Sequence, residues 1–122
     1  MQRVLGVGGI FFRARDPKAL GAWYREHLGI DVEAWGGAVF RWDAPGSTVW
    51  SPFKDDTTYF GSDANRFMIN FRVADLRAMH AQLLAAGCDV DAKIEETEQG
   101  LFGWVTDPEG NRVELWQPAE GM

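Results

Sequence analysis

Two stretches of the chain alternate apolar and polar residues, Val4–Ala14 and Arg66–Ala74, and both read as strands. Each runs into an aspartate at a helix N-cap position. Asp16 precedes Pro17, which suits a first helical turn, and Asp75 is its counterpart. The period then changes. Apolar residues fall at helical spacing at Leu20, Trp23, Tyr24, His27 and Leu28, and again at Leu76, Met79, Leu83 and Leu84. Both stripes stop at a glycine, Gly29 or Gly87, the residue a left-handed C-cap takes. Three shorter strands are expected after each helix, near 30–35, 37–43 and 47–53, then near 88–95, 100–106 and 111–117. Gly36-Gly37, Pro45-Gly46 and Pro108-Glu109-Gly110-Asn111 supply the turns. The polar stretch Lys54–Ala64 joins the halves.

The two halves are a repeat. Ile10, Phe12, Arg13, Asp16 and Leu20 recur 59 residues later as Ile69, Phe71, Arg72, Asp75 and Met79. After a one-residue deletion, Gly29-Ile30-Asp31-Val32 recurs as Gly87-Cys88-Asp89-Val90. A shared order of elements extends the match. The expected fold is α+β, two βαβββ repeats whose curved mixed sheets face each other across a cleft. One helix covers only one face of a four-stranded sheet, and the other face meets its repeat. The 122 residues make one domain, with module 1 at about 4–60 and module 2 at about 65–118.

Composition narrows the partners. The net charge of −6 disfavours phosphate-backbone binding, so no nucleic acid is expected. Residues 1–62 balance 7 bases against 7 acids, whereas residues 63–122 carry 5 bases and 11 acids. The apolar run Val4–Phe12 is too short to span a bilayer, and no membrane partner is expected. A single cysteine, Cys88, excludes an intrachain disulfide and a cysteine-based zinc module, and fits a reducing cytoplasm. It reads as a small packing residue rather than a nucleophile.

The segments Asp16-Pro-x-x-Leu20-x-x-Trp-Tyr24-x-x-x-Leu28-Gly29 and DPEGNRVELWQP (107–118) resemble the vicinal oxygen chelate superfamily. That superfamily contains glyoxalase I, ring-cleaving dioxygenases, fosfomycin-resistance enzymes and bleomycin-binding proteins. The resemblance runs from Val4 to Pro118 and implies homodimers and, in the metal enzymes, up to four side chains holding a divalent ion. Carried over by position, those four places are Gly9, Trp50, Met68 and Glu114. Only Glu114 is a suitable ligand, since glycine has no side chain, indole no free lone pair, and a thioether does not suit a hard cation. A catalytic divalent site takes about three protein ligands. No cofactor is therefore expected. The two histidines, His27 and His80, fall on the helices, away from the cleft.

Alternation assigns the cleft lining. With the ligand positions facing inward, the cleft receives Phe11, Arg13, Trp50, Met68, Asn70, Arg72, Arg112, Glu114 and Trp116, while Ile10, Phe12, Ile69, Phe71, Val113 and Leu115 meet the helices. Trp50 and Trp116 could stack on a flat ring, and Arg13 or Arg72 could take a carboxylate or phosphate. The resemblance adds that Arg13 matches an arginine glyoxalase I uses on its glutathione substrate. A plainer reading pairs Glu114 with Arg13 or Arg72 in a half-buried salt bridge, because a buried charge needs a partner.

The leading functional expectation is a metal-free protein binding an aromatic or amphipathic small molecule in the cleft. The alternative is a glyoxalase-like lyase or isomerase with Glu114 as general base, or as a ligand to Ni, Zn, Mn or Fe. A third reading is an interaction subunit that uses an open sheet edge.

Overall fold

The aspartates that open the helices act through their side chains. Asp16 accepts from Ala19 N at 3.1 Å and starts α1, Pro17–Leu28; Asp75 accepts from Ala78 N at 3.0 Å and starts α2, Leu76–Ala85. Gly29 closes α1 with φ 68° and ψ 22°, and its N–H returns to Tyr24 O, as a left-handed cap requires. Around these helices the computed structural model describes residues 1–3 and 5–122; Val4, where the first strand is expected to begin, lies outside the described residues.

The second half builds an open mixed sheet. Its strands are β1, Ile69–Arg72; β2, Asp89–Val90; β3, Glu95–Thr97; β4, Gly100–Thr106; and β5, Arg112–Pro118. The order is β1-β5-β4-β2, with β3 also on β4. β1 lies parallel to β5, and the other pairings are antiparallel. The strand expected near 88–95 divides into β2 and β3. Between them Asp91 N still donates to Trp104 O of β4 at 2.9 Å, but its carbonyl meets His80 Nε2 at 2.7 Å instead of a strand, while its carboxylate meets Arg112 at 3.2 Å.

In the second half Phe71, Val113 and Leu115 face the helices as expected, whereas Ile10 and Phe12 of the first half, 58% and 46% exposed, do not. Leu20 and Tyr24 of α1 and Leu76 and Leu83 of α2 form one buried cluster with Val105, Val113 and Leu115. Gly103 sits under α2, where an added Cβ would come 3.3 Å from Leu76 Cδ1, so the missing side chain lets helix and sheet approach. Leu84 is the exception in its stripe. Leu76, His80 and Leu83 turn to the sheet, and Leu84 lies off that line and stays exposed. α1 is tied to the far turn: Tyr24 Oη donates to Asp107 Oδ2 at 2.8 Å, and Glu109 accepts from Arg15 N at 2.6 Å and Asp16 N at 2.9 Å.

The first half differs from its repeat. Among the described residues before Ile69, none joins a strand ladder. The turn at Gly36-Gly37 does form, with Glu33 N on Gly37 O at 2.8 Å and Gly36 at φ 100°. Alternation fixes which side chains share a face, but a ladder also needs a neighbouring backbone to take each N–H and C=O. The segments 5–14, 38–43 and 47–53 find no strand to pair with, Ser47 N on Met122 O at 3.1 Å being a single bond, and they leave large apolar side chains in solvent.

Candidate functional site

Opposite the helices, the sheet presents the parity that alternation assigned to the cleft. The strand register sets it in rungs. Arg72, Trp116 and Phe102 lie side by side across β1, β5 and β4; Asn70, Glu114 and Trp104 form the next rung; Arg112 and Thr106 follow.

Glu114 is the centre of this face. Only 8% of it is exposed, and both carboxylate oxygens are engaged. Oε1 accepts from Asn70 Nδ2 at 2.8 Å. Oε2 accepts from Trp104 Nε1 at 3.0 Å and from the Tyr59 hydroxyl. A buried carboxylate is thus held by three neutral donors rather than by a cation. The salt bridge expected from Arg13 or Arg72 does not form. Arg72 Nη1 instead donates to Ser47 O and Met122 O, both at 3.1 Å, and Arg13 stands in solvent. Two of the donors, Asn70 and Trp104, sit on the same rung as the carboxylate, whereas Arg72 starts one rung away and Arg13 on the unladdered first half.

Tyr59 and Trp104 were not among the expected site residues. Tyr59 lies in the connecting stretch and folds over the sheet. Its ring stacks with Phe53 at 5.7 Å between centroids and meets Trp104 edge-on at 6.1 Å, and its carbonyl accepts from Arg112 Nε at 3.0 Å. Burial, followed by the hydrogen bond to Glu114 and that group's charge, pushes the Tyr59 phenol above its ordinary pKa. The legible signal was an aromatic pair, Tyr59-Phe60, inside an otherwise polar connection. Trp104 shares a rung with Glu114, a register that only strand pairing reveals.

The tryptophan and arginine positions resolve differently from one another. Trp116 is 5% exposed; Phe102 stacks beside it at 6.1 Å and 10°, the Arg72 guanidinium lies 5.2 Å from its ring, and its Nε1 donates to Gln99 O. Phe102 and Arg72 thus cover Trp116, and Phe102 is the more exposed ring of this stack. Arg112 lies 5.3 Å from the Trp104 ring and pairs with Asp91. Met68 is half-buried just before β1. Phe11 and Trp50, 93% and 81% exposed, are not brought to this face, nor is Arg13. The structure therefore assembles Asn70, Arg72, Arg112, Glu114 and Trp116, and leaves the first-half residues apart.

The residues do not fit the divalent ion that metal enzymes of this fold hold. Among the described residues, no three His, Cys, Asp or Glu side chains converge. Glu114 is one carboxylate, and it already accepts three hydrogen bonds from protein donors. His80 is buried beneath α2 on Asp91 O, and His27 packs beside Trp23 at 5.5 Å.

Comparison with known proteins agrees with this architecture. The family model of the glyoxalase-like domain matches residues 9–116. TnmS3, an antibiotic binding protein from Streptomyces sp. CB03234, is 25% identical over 85% of this chain and 88% of its own, with TM-score 0.54. A glyoxylase/bleomycin resistance protein/dioxygenase domain from Frankia sp. EAN1pec is 19% identical over 98% and 96%, with TM-score 0.60. TioX from Micromonospora sp. ML1 is 17% identical over 89% and 93%, with TM-score 0.53. No curated protein sequence matches the chain.

Proposed function

We propose, of a chain that belongs to the glyoxalase-like domain family, that it is a metal-free binding protein for an aromatic or amphipathic small molecule. The ligand lies on the sheet face around Glu114, with Phe102 and Tyr59 as apolar walls and Asn70, Arg72 and Arg112 as polar contacts. The observation that carries this reading is the state of Glu114. Its carboxylate already accepts from Asn70, Trp104 and Tyr59, so three of its roughly four acceptor sites are spent on ordering an aromatic surface rather than held open for a metal or a substrate proton. A lyase working by proton abstraction needs a free base and a group to stabilise the enolate. A face that is mostly aromatic with a few fixed polar groups suits recognition instead. The similarity to TnmS3 supports the same class of function.

The reading extends to a homodimer in the cytoplasm, each chain one domain of two modules. Phe11, Arg13 and Trp50 are then free to complete a ligand site when the exposed first half finds its cover.

The test is a dye-displacement screen of planar organic molecules, paired with elemental analysis after incubation with Ni²⁺, Zn²⁺, Mn²⁺ or Fe²⁺ and desalting. The expected result is a displacing ligand whose affinity falls in Phe102→Ala, with less than about a tenth of an equivalent of metal. Near one equivalent of metal, lost in Glu114→Ala, returns the lyase reading. A complete screen without a displacing ligand removes the binding reading.

A further inference from the structure

On the helix side of the sheet, away from Glu114, an open cavity of about 320 Å³ lies at the β1 edge. Leu28 and Ile30 at the end of α1, Phe40 from the first half, Phe71 of β1, Met79 of α2 and Leu115 of β5 line it. Phe71 is central, with Phe40 at 6.3 Å and Tyr24 at 6.2 Å between ring centroids. The charged residues in the lining are Asp31 and Arg72, and the Arg72 guanidinium itself lies on the other face of the sheet, over the Trp116 ring.

Size and chemistry both bear on what this cavity takes. An apolar cavity of about 150 Å³ lined by Leu, Ile and Phe stays dry and admits benzene. The present one is roughly twice as large and near the lower end of the roughly 300–1,000 Å³ range of small-molecule pockets. One polar feature is fixed by the sheet. Val73 N donates to Trp116 O at 2.8 Å, so the odd-numbered residues of this strand turn their peptide groups toward β5. In a parallel ladder the alternate residues turn theirs the other way, and β1 is an edge strand. The N–H and C=O of Arg72 therefore point outward at the mouth of the cavity.

We infer that this cavity is a second ligand site, for a compact neutral molecule of about two fused rings carrying one hydrogen-bonding group. The rings lie among Phe71, Phe40, Met79 and Leu115, and the polar group meets the open peptide of Arg72. This site is separate from the Glu114 face, because Phe71 and Leu115 point to the opposite side of the sheet from Asn70, Glu114 and Trp116.

Four methionines report on the question, since Met79 lines the cavity, Met68 precedes β1 in the parity of Asn70, Met122 lies beside the Arg72 guanidinium, and Met1 is in solvent. The experiment titrates the protein carrying [methyl-¹³C]methionine with 2-naphthol and follows the methyl resonances, assigned by Met→Leu variants. The expected result is a saturable shift of the Met79 methyl with Met68 and Met122 unmoved, and binding weakened about tenfold or more in Ala38→Trp, which fills the cavity. A shift confined to Met68 overturns this site while supporting a ligand on the Glu114 face. A shift confined to Met122, no shift at any methyl, or a Met79 shift that survives Ala38→Trp each overturns it as well.

Discussion

A carboxylate taken out of water needs a charge or several donors to hold it. At Glu114 the three donors come from three separate stretches of chain, so the site and the fold depend on each other at single-residue scale. Replacing Tyr59 with phenylalanine removes one charge-assisted donor while Asn70 and Trp104 remain. The expected loss is about 1.5 kcal/mol, the lower part of the range for bonds to charged groups because Tyr59 is half-exposed, read from urea unfolding at neutral pH. The phenols also set an alkaline limit. Burial and an acidic partner, Asp107 for Tyr24 and Glu114 for Tyr59, raise both phenols above the ordinary value of 10.0. Above that pH the unfolded chain releases phenolic protons that the folded chain keeps, so stability is full below about 10 and falls as pH rises further. The decline is at most about 1.4 kcal/mol per pH unit for each tyrosine. Denaturation midpoints measured from pH 9 to 11.5 are expected to fall, less steeply in Tyr59→Phe.

Helix α1 shows how an element is placed by residues distant in sequence. Its stripe buries Leu20 and Tyr24, and its N-terminal approach is held by Glu109 of the far turn, whose two oxygens take Arg15 N and Asp16 N. That turn is itself internally bonded: Asp107 accepts from Glu109 N, Asn111 N and Asn111 Nδ2 at 2.8–2.9 Å. The DPEGN sequence thus does two jobs, closing the β4–β5 hairpin and docking α1. Glu109→Ala is expected to cost about 1 kcal/mol, the scale of a lost helix cap. The urea midpoint falls with an unchanged slope, and Glu109→Gln, which keeps one acceptor, recovers part of the loss.

At the scale of the molecule the two halves are unequal. The second carries the sheet and most of the core. The first carries Phe11, Trp35, Trp42 and Trp50 in solvent, a larger apolar display than a monomer usually keeps. Association of two chains through these residues is the expected consequence. Light scattering on the eluting protein is expected to give twice the 13.7 kDa chain mass at micromolar concentration, and a mass nearer one chain in Trp42→Glu. One chain mass for both proteins removes the dimer.

What the sequence determined by itself is local. Asp16, Pro17 and Gly29 bound α1; Asp75 starts α2; the runs expected at 66–74, 100–106 and 111–117 contain or overlap β1, β4 and β5, and their alternation says which side chains share a face. These follow from neighbours along the chain, whose capping and alternation do not depend on distant partners. Tertiary structure decided the rest. Trp104 meets Glu114 through strand register, Tyr59 reaches it from a connection with no strand or helix of its own, and Arg72 turns away to carbonyls that lie far along the sequence. The first half kept its alternation but not its ladder, because a strand's side chains can be read from one chain segment and its hydrogen bonds need two.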